Sequence, residues 1–260
     1  MPLLSTGDAQ VEYVVTGTGD PVTVFAHGLA GSIPETRPFG SGVPGSKAFL
    51  HFRGHGASSA PDTPWTYAAL AGELRAVADH VGATQALGVS LGAGALTRLV
   101  TDDPQRFSRL VLVLPAALDQ PRADPAVLRL RRMADHVVRR DLDALADLLV
   151  LEQPVQARDR ADVRVWAGRQ ATRLAGTGVE RALRELPTQH PIDDRAALAA
   201  VTCPVLVIGQ QGDDAHPAAI AAELADALPS ATLTMFDAGG VLWTHRRELR
   251  GLVGAFLGGH

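Results

Sequence analysis

"QALGVSLGAGALTRLV" (residues 85–100) decides the fold. Its first part, QALGV, is a short apolar run of the kind a buried strand needs, and from Leu91 onward apolar residues recur at helical spacing. Ser90 stands at the junction, inside a G-x-S-x-G pattern made by Gly88 and Gly92. A strand that runs straight into a helix must turn sharply, and glycines on both sides of the serine remove the Cβ atoms that would obstruct the turn. Such a turn exposes the serine hydroxyl above the sheet and aims the first N–H groups of the helix at the same point. Ser90 is therefore the candidate nucleophile, and the Leu91 N–H a candidate oxyanion donor.

The same alternation recurs on both sides. "KAFLHF" (47–52), "RLVLVLP" (109–115), "PVLVIG" (204–209) and "ATLTMF" (231–236) are short apolar runs bounded by Gly, Pro or charge, and read as parallel strands. Residues 66–81, 91–103 and 217–228 carry helical spacing, the last opening with Pro217 at an expected N1 position. "VEYVVTGTGDPVTVFAHG" (11–28) reads as a hairpin turning at Gly17 to Pro21 and leading into a buried strand. Strand–helix alternation implies an α/β chain with a mostly parallel twisted sheet covered on both faces. Glycine and proline crowd residues 31–46 too closely for a regular helix, so a short helix or ordered loop is expected there. Residues 118–195 hold no convincing strand and read as a helical insertion.

Composition narrows the function classes. A chain of 260 residues with 46% apolar and 20% charged residues suits one large folded unit and excludes disorder. The net charge of −4 offers no attraction to polyanions. The insertion is rich in arginine, but its 14 Arg face 13 Asp plus Glu, so these charges read as solvated helix faces rather than a nucleic-acid surface. Cys203 is the single cysteine, so no intramolecular disulfide forms. The N-terminus lacks a basic signal-peptide region, and no apolar run reaches the roughly 18 residues of a membrane span, so a cytoplasmic location without membrane association is expected. The histidines and acids show no metal-ligand spacing, so neither metal nor organic cofactor is expected.

In "FAHGLAGS" (25–32) the chain turns tightly at a strand end, and the Leu29 N–H is the natural second oxyanion donor. His27, and His51 and His55 in "HFRGHGAS", read as hydrogen-bonded structural histidines. The order of HG (27–28), R-G-H-G-x-S (53–58), G-x-S-x-G (88–92), a helical insertion and a late "GQQGDDAHP" (209–217) resembles the α/β-hydrolase superfamily over essentially the whole chain. The resemblance implies a core of residues 1–117 and 196–260, a cap of residues 118–195, and a small-molecule substrate in the pocket between them. It also implies a Ser, Asp or Glu, His triad in that order, whose acid commonly stands four residues before a proline. That selects Asp213 ahead of Pro217, with Asp214 as the fallback.

The family's histidine usually follows the last strand in a G-H pair, and here "FDAGGVLWTH" (236–245) offers Gly239 and Gly240. The expected imidazole is missing at 240. His51 also stands where many relatives have the Asp of a D-x-R-G-x-G pattern. Three readings stay open: His245 is the leading candidate, acting as base from a reshaped loop; His216, three residues after Asp213, is the substitute; or no histidine serves. The corresponding functions are a serine-dependent hydrolase of a small to medium ester, thioester or related carbonyl compound, or a non-hydrolytic cyclase, isomerase, lyase or small-molecule binding protein on the same fold.

Overall fold

In the computed structural model, which describes residues 1–259, the apolar runs lie side by side in one eight-stranded sheet. The strands are β1 (Leu3–Thr6), β2 (Ala9–Thr16), β3 (Val22–Ala26), β4 (Ser46–Leu50), β5 (Gln85–Val89), β6 (Arg109–Val113), β7 (Val205–Gln210) and β8 (Ala231–Phe236). Their spatial order is β1-β2-β4-β3-β5-β6-β7-β8. β1 and β2 form antiparallel pairs, and every pairing from β4 to β8 is parallel. β5 and β7 are buried at every position, which explains their unbroken apolar character.

The helices are α1 (Ile33–Thr36), α2 (Tyr67–His80), α3 (Leu91–Asp102), α4 (Asp124–Arg139), α5 (Leu142–Leu151), α6 (Ala161–Leu174), α7 (Val179–Glu185), α8 (Ala218–Ala227) and α9 (Arg246–Gly258). One sheet face buries Leu74, Leu96 and Leu224 from α2, α3 and α8; the other buries Phe25, Val111 and Ile208 under Leu249 and Val253 of α9. Residues 31–46 hold α1 and a 3-10 turn, Arg37–Gly40. The insertion contributes α4 to α7 and no strand among its described residues, with α4 against α7 and α5 against α6.

Two local expectations need correction. β2 and β3 do not pair as a hairpin: β4 lies between them, Phe49 facing Val14 on one side and Phe25 on the other. The apolar pattern of two successive β-branched runs cannot tell direct pairing from insertion of a later strand. The Gly17–Pro21 connection is long enough to cross two strand spacings, roughly 10 Å. The N-terminal hairpin is β1–β2, turning at Gly7 with φ +80°. Pro217 is the N-cap of α8, one residue outside the helix, rather than its first residue.

The topology places the site. From β3 the chain leads to β4 on one side, while β5 lies on the other, so a crevice opens at the C-terminal ends of β3 and β5. Leu29 follows β3 and Ser90 follows β5 at that crevice. Ser90 sits at φ 52°, ψ −106°, a region that L-residues rarely occupy. A Cβ on Gly88 would overlap the Gly92 carbonyl, and one on Gly92 would stand 2.5 Å from the Ala26 carbonyl oxygen. These are backbone atoms and cannot rotate aside. Gly92→Ala is accordingly expected to lower unfolding free energy by roughly 1–3 kcal/mol or more, measured by urea denaturation, whereas Gly72→Ala on open surface changes it little or raises it slightly.

Candidate active site

The strained turn at Ser90 holds its hydroxyl in a cavity of about 500 Å³ between the sheet and the insertion. Apolar side chains dominate its wall, among them Leu29, Phe39, Met133, Leu149, Trp166 and Trp243. The Ser90 N–H is tied to the Val113 carbonyl at 2.9 Å, which fixes the turn to the neighbouring strand. Among the described residues, no protein acceptor engages the Leu29 or Leu91 N–H. Leu29 lines the cavity.

An imidazole does reach the serine. His216 Nε2 lies 2.9 Å from Ser90 Oγ, and His216 Nδ1 lies 3.1 Å from Asp213 Oδ2. With its Nδ1 proton directed at the carboxylate, the ring offers Nε2 as an acceptor for the serine hydroxyl. Asp213 is buried, and its other oxygen accepts the N–H groups of Ala215 (3.0 Å) and His216 (3.1 Å). Burial pushes this carboxyl up, but the adjacent His216 and the two amides outweigh it and hold the group below the usual aspartate range. Acid and imidazole thus stand on one short loop between β7 and α8. The fallback acid, Asp214, is exposed on the same loop.

His245 lies elsewhere. It is the N-cap residue of α9, with Nδ1 3.3 Å from Glu248 Oε2 and its ring beside Phe236, and it does not line the cavity. Gly240 does line it, at φ +88°. A Cβ there would meet Trp243 Cδ1 at 2.9 Å and Ala157 Cβ at 3.4 Å, so the space a family-type histidine would need is filled by an indole. Trp243 is anchored by donating to Gln153 Oε1 at 2.8 Å. The loop is held to the sheet by Gln210, fully buried at the end of β7, whose Oε1 accepts the Val241 N–H.

The three other histidines near the site form one buried belt. His27 Nε2 accepts from the Phe52 N–H (3.1 Å), His55 Nε2 from the Ala30 N–H (3.1 Å), and His51 Nε2 from the Ile33 N–H (2.9 Å). Their Nδ1 atoms donate to Gly28 O, Arg53 O and Glu12 Oε2 respectively. Each ring must therefore be neutral to hold the loop that carries Leu29. Burial lowers all three, His55 to about 4, and for His51 this outweighs the opposing effect of Glu12. His51 thus does a loop-holding job, with Glu12 as its partner.

Residues without a sequence signal complete the surroundings. Gln170 of α6 donates to the Ala30 carbonyl, and Trp166 Nε1 donates to Glu35, so the insertion clasps the loop after β3. Arg122, just before α4, donates from Nη2 to Ser90 Oγ at 3.3 Å and from Nη1 to the Ala215 carbonyl at 3.1 Å. Nothing in the sequence separates Gln170 or Arg122 from the other polar residues of the insertion. Among the described residues no cluster of His, Cys, Asp and Glu is arranged to hold a metal ion, and no helix is long and apolar enough to cross a membrane.

The sequence profile of the alpha/beta hydrolase fold family matches residues 21–241. The chain belongs to this family. It is similar to the rhodomycin D methylesterase DauP of Streptomyces sp. (strain C5), 30% identical over 198 residues that make up 67% of this chain and 66% of that protein. The match thus spans just under two thirds of that relative's length. In structure it resembles the enol-lactonase from Burkholderia xenovorans LB400, with TM-score 0.82 and 21% identity over 99% of this chain and 100% of the other. It resembles equally the esterase EaEST from Exiguobacterium antarcticum, with TM-score 0.80 and 17% identity over 99% of each chain. These two likenesses are of fold.

The histidine belt predicts a pH dependence of stability. A histidine that is neutral in the fold and free to protonate when unfolded gives the unfolded state more bound protons below its ordinary value near 6.5. Stability is therefore full above about pH 6.5 and falls as the pH drops toward 4, on the order of 3 kcal/mol for His55 alone. Urea unfolding at pH 7.5, 6 and 5 should show this decline; equal midpoints across the series would contradict neutral, load-carrying rings.

Proposed function

We propose that the protein is a serine-dependent hydrolase of small to medium esters, thioesters or lactones, with Ser90, His216 and Asp213 as its triad. The observation that carries the reading is the 2.9 Å contact between Ser90 Oγ and His216 Nε2, backed by Asp213 on the far side of the ring. The methylesterase activity in the name of the relative and the esterase and lactonase names of the structural neighbours support the same class of reaction. The non-hydrolytic alternative drew on a site without an imidazole, and the Ser90–His216 contact weighs against it.

In the proposed reaction Ser90 Oγ attacks the substrate carbonyl while its proton passes to His216 Nε2. Asp213 stabilises the imidazolium and keeps the Nδ1 proton in place. The Leu29 and Leu91 N–H groups receive the negative oxygen of the tetrahedral intermediate. His216 then returns the proton to the leaving alcohol or thiol, which departs and leaves an acyl group on Ser90. Water attacks this acyl group as His216 takes the water's proton, and when the second tetrahedral intermediate collapses His216 gives that proton to Ser90 Oγ, so the acid leaves and the free serine and neutral imidazole are restored.

A fluorophosphonate probe should label the wild type and not Ser90→Ala. His216→Ala should lose ~10²–10⁴-fold in kcat/KM on a short-chain ester, and Asp213→Asn a comparable factor. His245→Ala should stay within about twofold of wild type, because its side chain faces Glu248 rather than the cavity. Labelling of wild type no better than of Ser90→Ala, or equal rates in His216→Ala and wild type, would overturn the reading.

A further inference from the structure

Glu35 pairs with Arg173 at 3.5 Å and Glu152 with Arg129 at 2.5 Å; Arg246 and Arg250 also line the cavity without an ion pair among the described residues, but of the lining arginines only Arg122 contacts Ser90. Arg122 forms no ion pair with a carboxylate among the described residues. Its two protein acceptors, the Ser90 hydroxyl and the Ala215 carbonyl, are both neutral. A guanidinium is always charged and carries five N–H donors in a planar fork that matches a carboxylate. Beside the nucleophile in a mostly apolar wall, a guanidinium with no ion-pair partner among the described residues favours a ligand that brings the opposite charge.

We propose that Arg122 is a specificity-determining residue that binds a carboxylate of the substrate, so that the preferred substrates are esters or lactones bearing a free carboxylate close to the scissile carbonyl. This deepens, and rests on, the hydrolase reading above. Distance sets how close. The guanidinium nitrogen is 3.3 Å from Ser90 Oγ, the reacting carbonyl carbon must come within roughly 3–3.5 Å of the same oxygen, and a charge-assisted hydrogen bond spans about 2.7–2.9 Å. Both groups therefore fit on one small molecule separated by roughly two to four bonds, the spacing of a dicarboxylic half-ester.

The test uses monomethyl succinate and its neutral isostere methyl succinamate, with rates followed by proton release on wild type, Arg122→Gln and Arg122→Lys. The expected result is a 10- to 100-fold higher kcat/KM of the wild type for the half-ester, carried largely by KM. Arg122→Gln should lose 10- to 100-fold more kcat/KM on the half-ester than on the amide ester, and Arg122→Lys should keep part of the preference. Binding of monomethyl succinate to Ser90→Ala, absent in the Ser90→Ala, Arg122→Gln double variant, is the readout independent of turnover. No preference in the wild type, or equal losses on both esters in Arg122→Gln, overturns the proposal while fluorophosphonate labelling of Ser90 still upholds a hydrolase. Failure of that labelling overturns the hydrolase reading instead, and the Ser90→Ala binding comparison then decides the carboxylate site alone.

Discussion

The close pass of Gly92 over the Ala26 carbonyl is the contact on which the site depends. It lets α3 begin directly above the end of β3, so that two amides from separate segments, Leu29 and Leu91, stand near one serine. The same pass forces Ser90 to positive φ, an unfavourable backbone state held only because β5, buried at every position, cannot shift to relieve it. Local strain and global packing are here one constraint. The sheet's interior must be nearly incompressible for the hydroxyl to stay where the turn puts it.

Around that turn the molecule uses neutral imidazoles as connectors. His27, His51 and His55 each accept one backbone N–H and give up one proton, so three rings fasten the loop after β3 to the loop after β4. A ring used this way supplies both a donor and an acceptor in an apolar setting, where an unpaired backbone amide would be costly. The insertion adds Gln170 on the Ala30 carbonyl, so the loop is held from below and from above.

Much of this was legible in the sequence, and the limits are physical. The G-x-S-x-G turn could be read because strand period, helix period and glycine spacing all had to agree at Ser90, leaving few alternatives. The resemblance to the α/β-hydrolase pattern pointed to Asp213 ahead of Pro217, and the structure places it against His216. The sequence put His245 ahead of His216 as base, and the structure brings His216 to the serine instead: which of the two meets it depends on how two loops fold back over the sheet, and side-chain direction in a turn has no periodicity to reveal it. The order of β2, β4 and β3 was hidden for a similar reason: apolar alternation reports which face of a strand is buried, never which strand lies beside it. Arg122 and Glu12 were silent because a single charge acquires meaning only from what surrounds it in space.

The location of the imidazole that meets Ser90 has a mechanical consequence. β8 is the edge of the sheet, with Thr232 and Leu233 exposed, and a strand paired on one side only is the part of a sheet most prone to open locally. A histidine placed after β8 would inherit that motion. His216 instead follows β7, which is paired on both sides and buried throughout, and it shares its loop with the carboxylate that orients it. Fraying of the edge strand therefore leaves the serine–imidazole contact undisturbed, and the β8–α9 loop, relieved of an imidazole, is free to serve as a wall whose shape is set by Trp243.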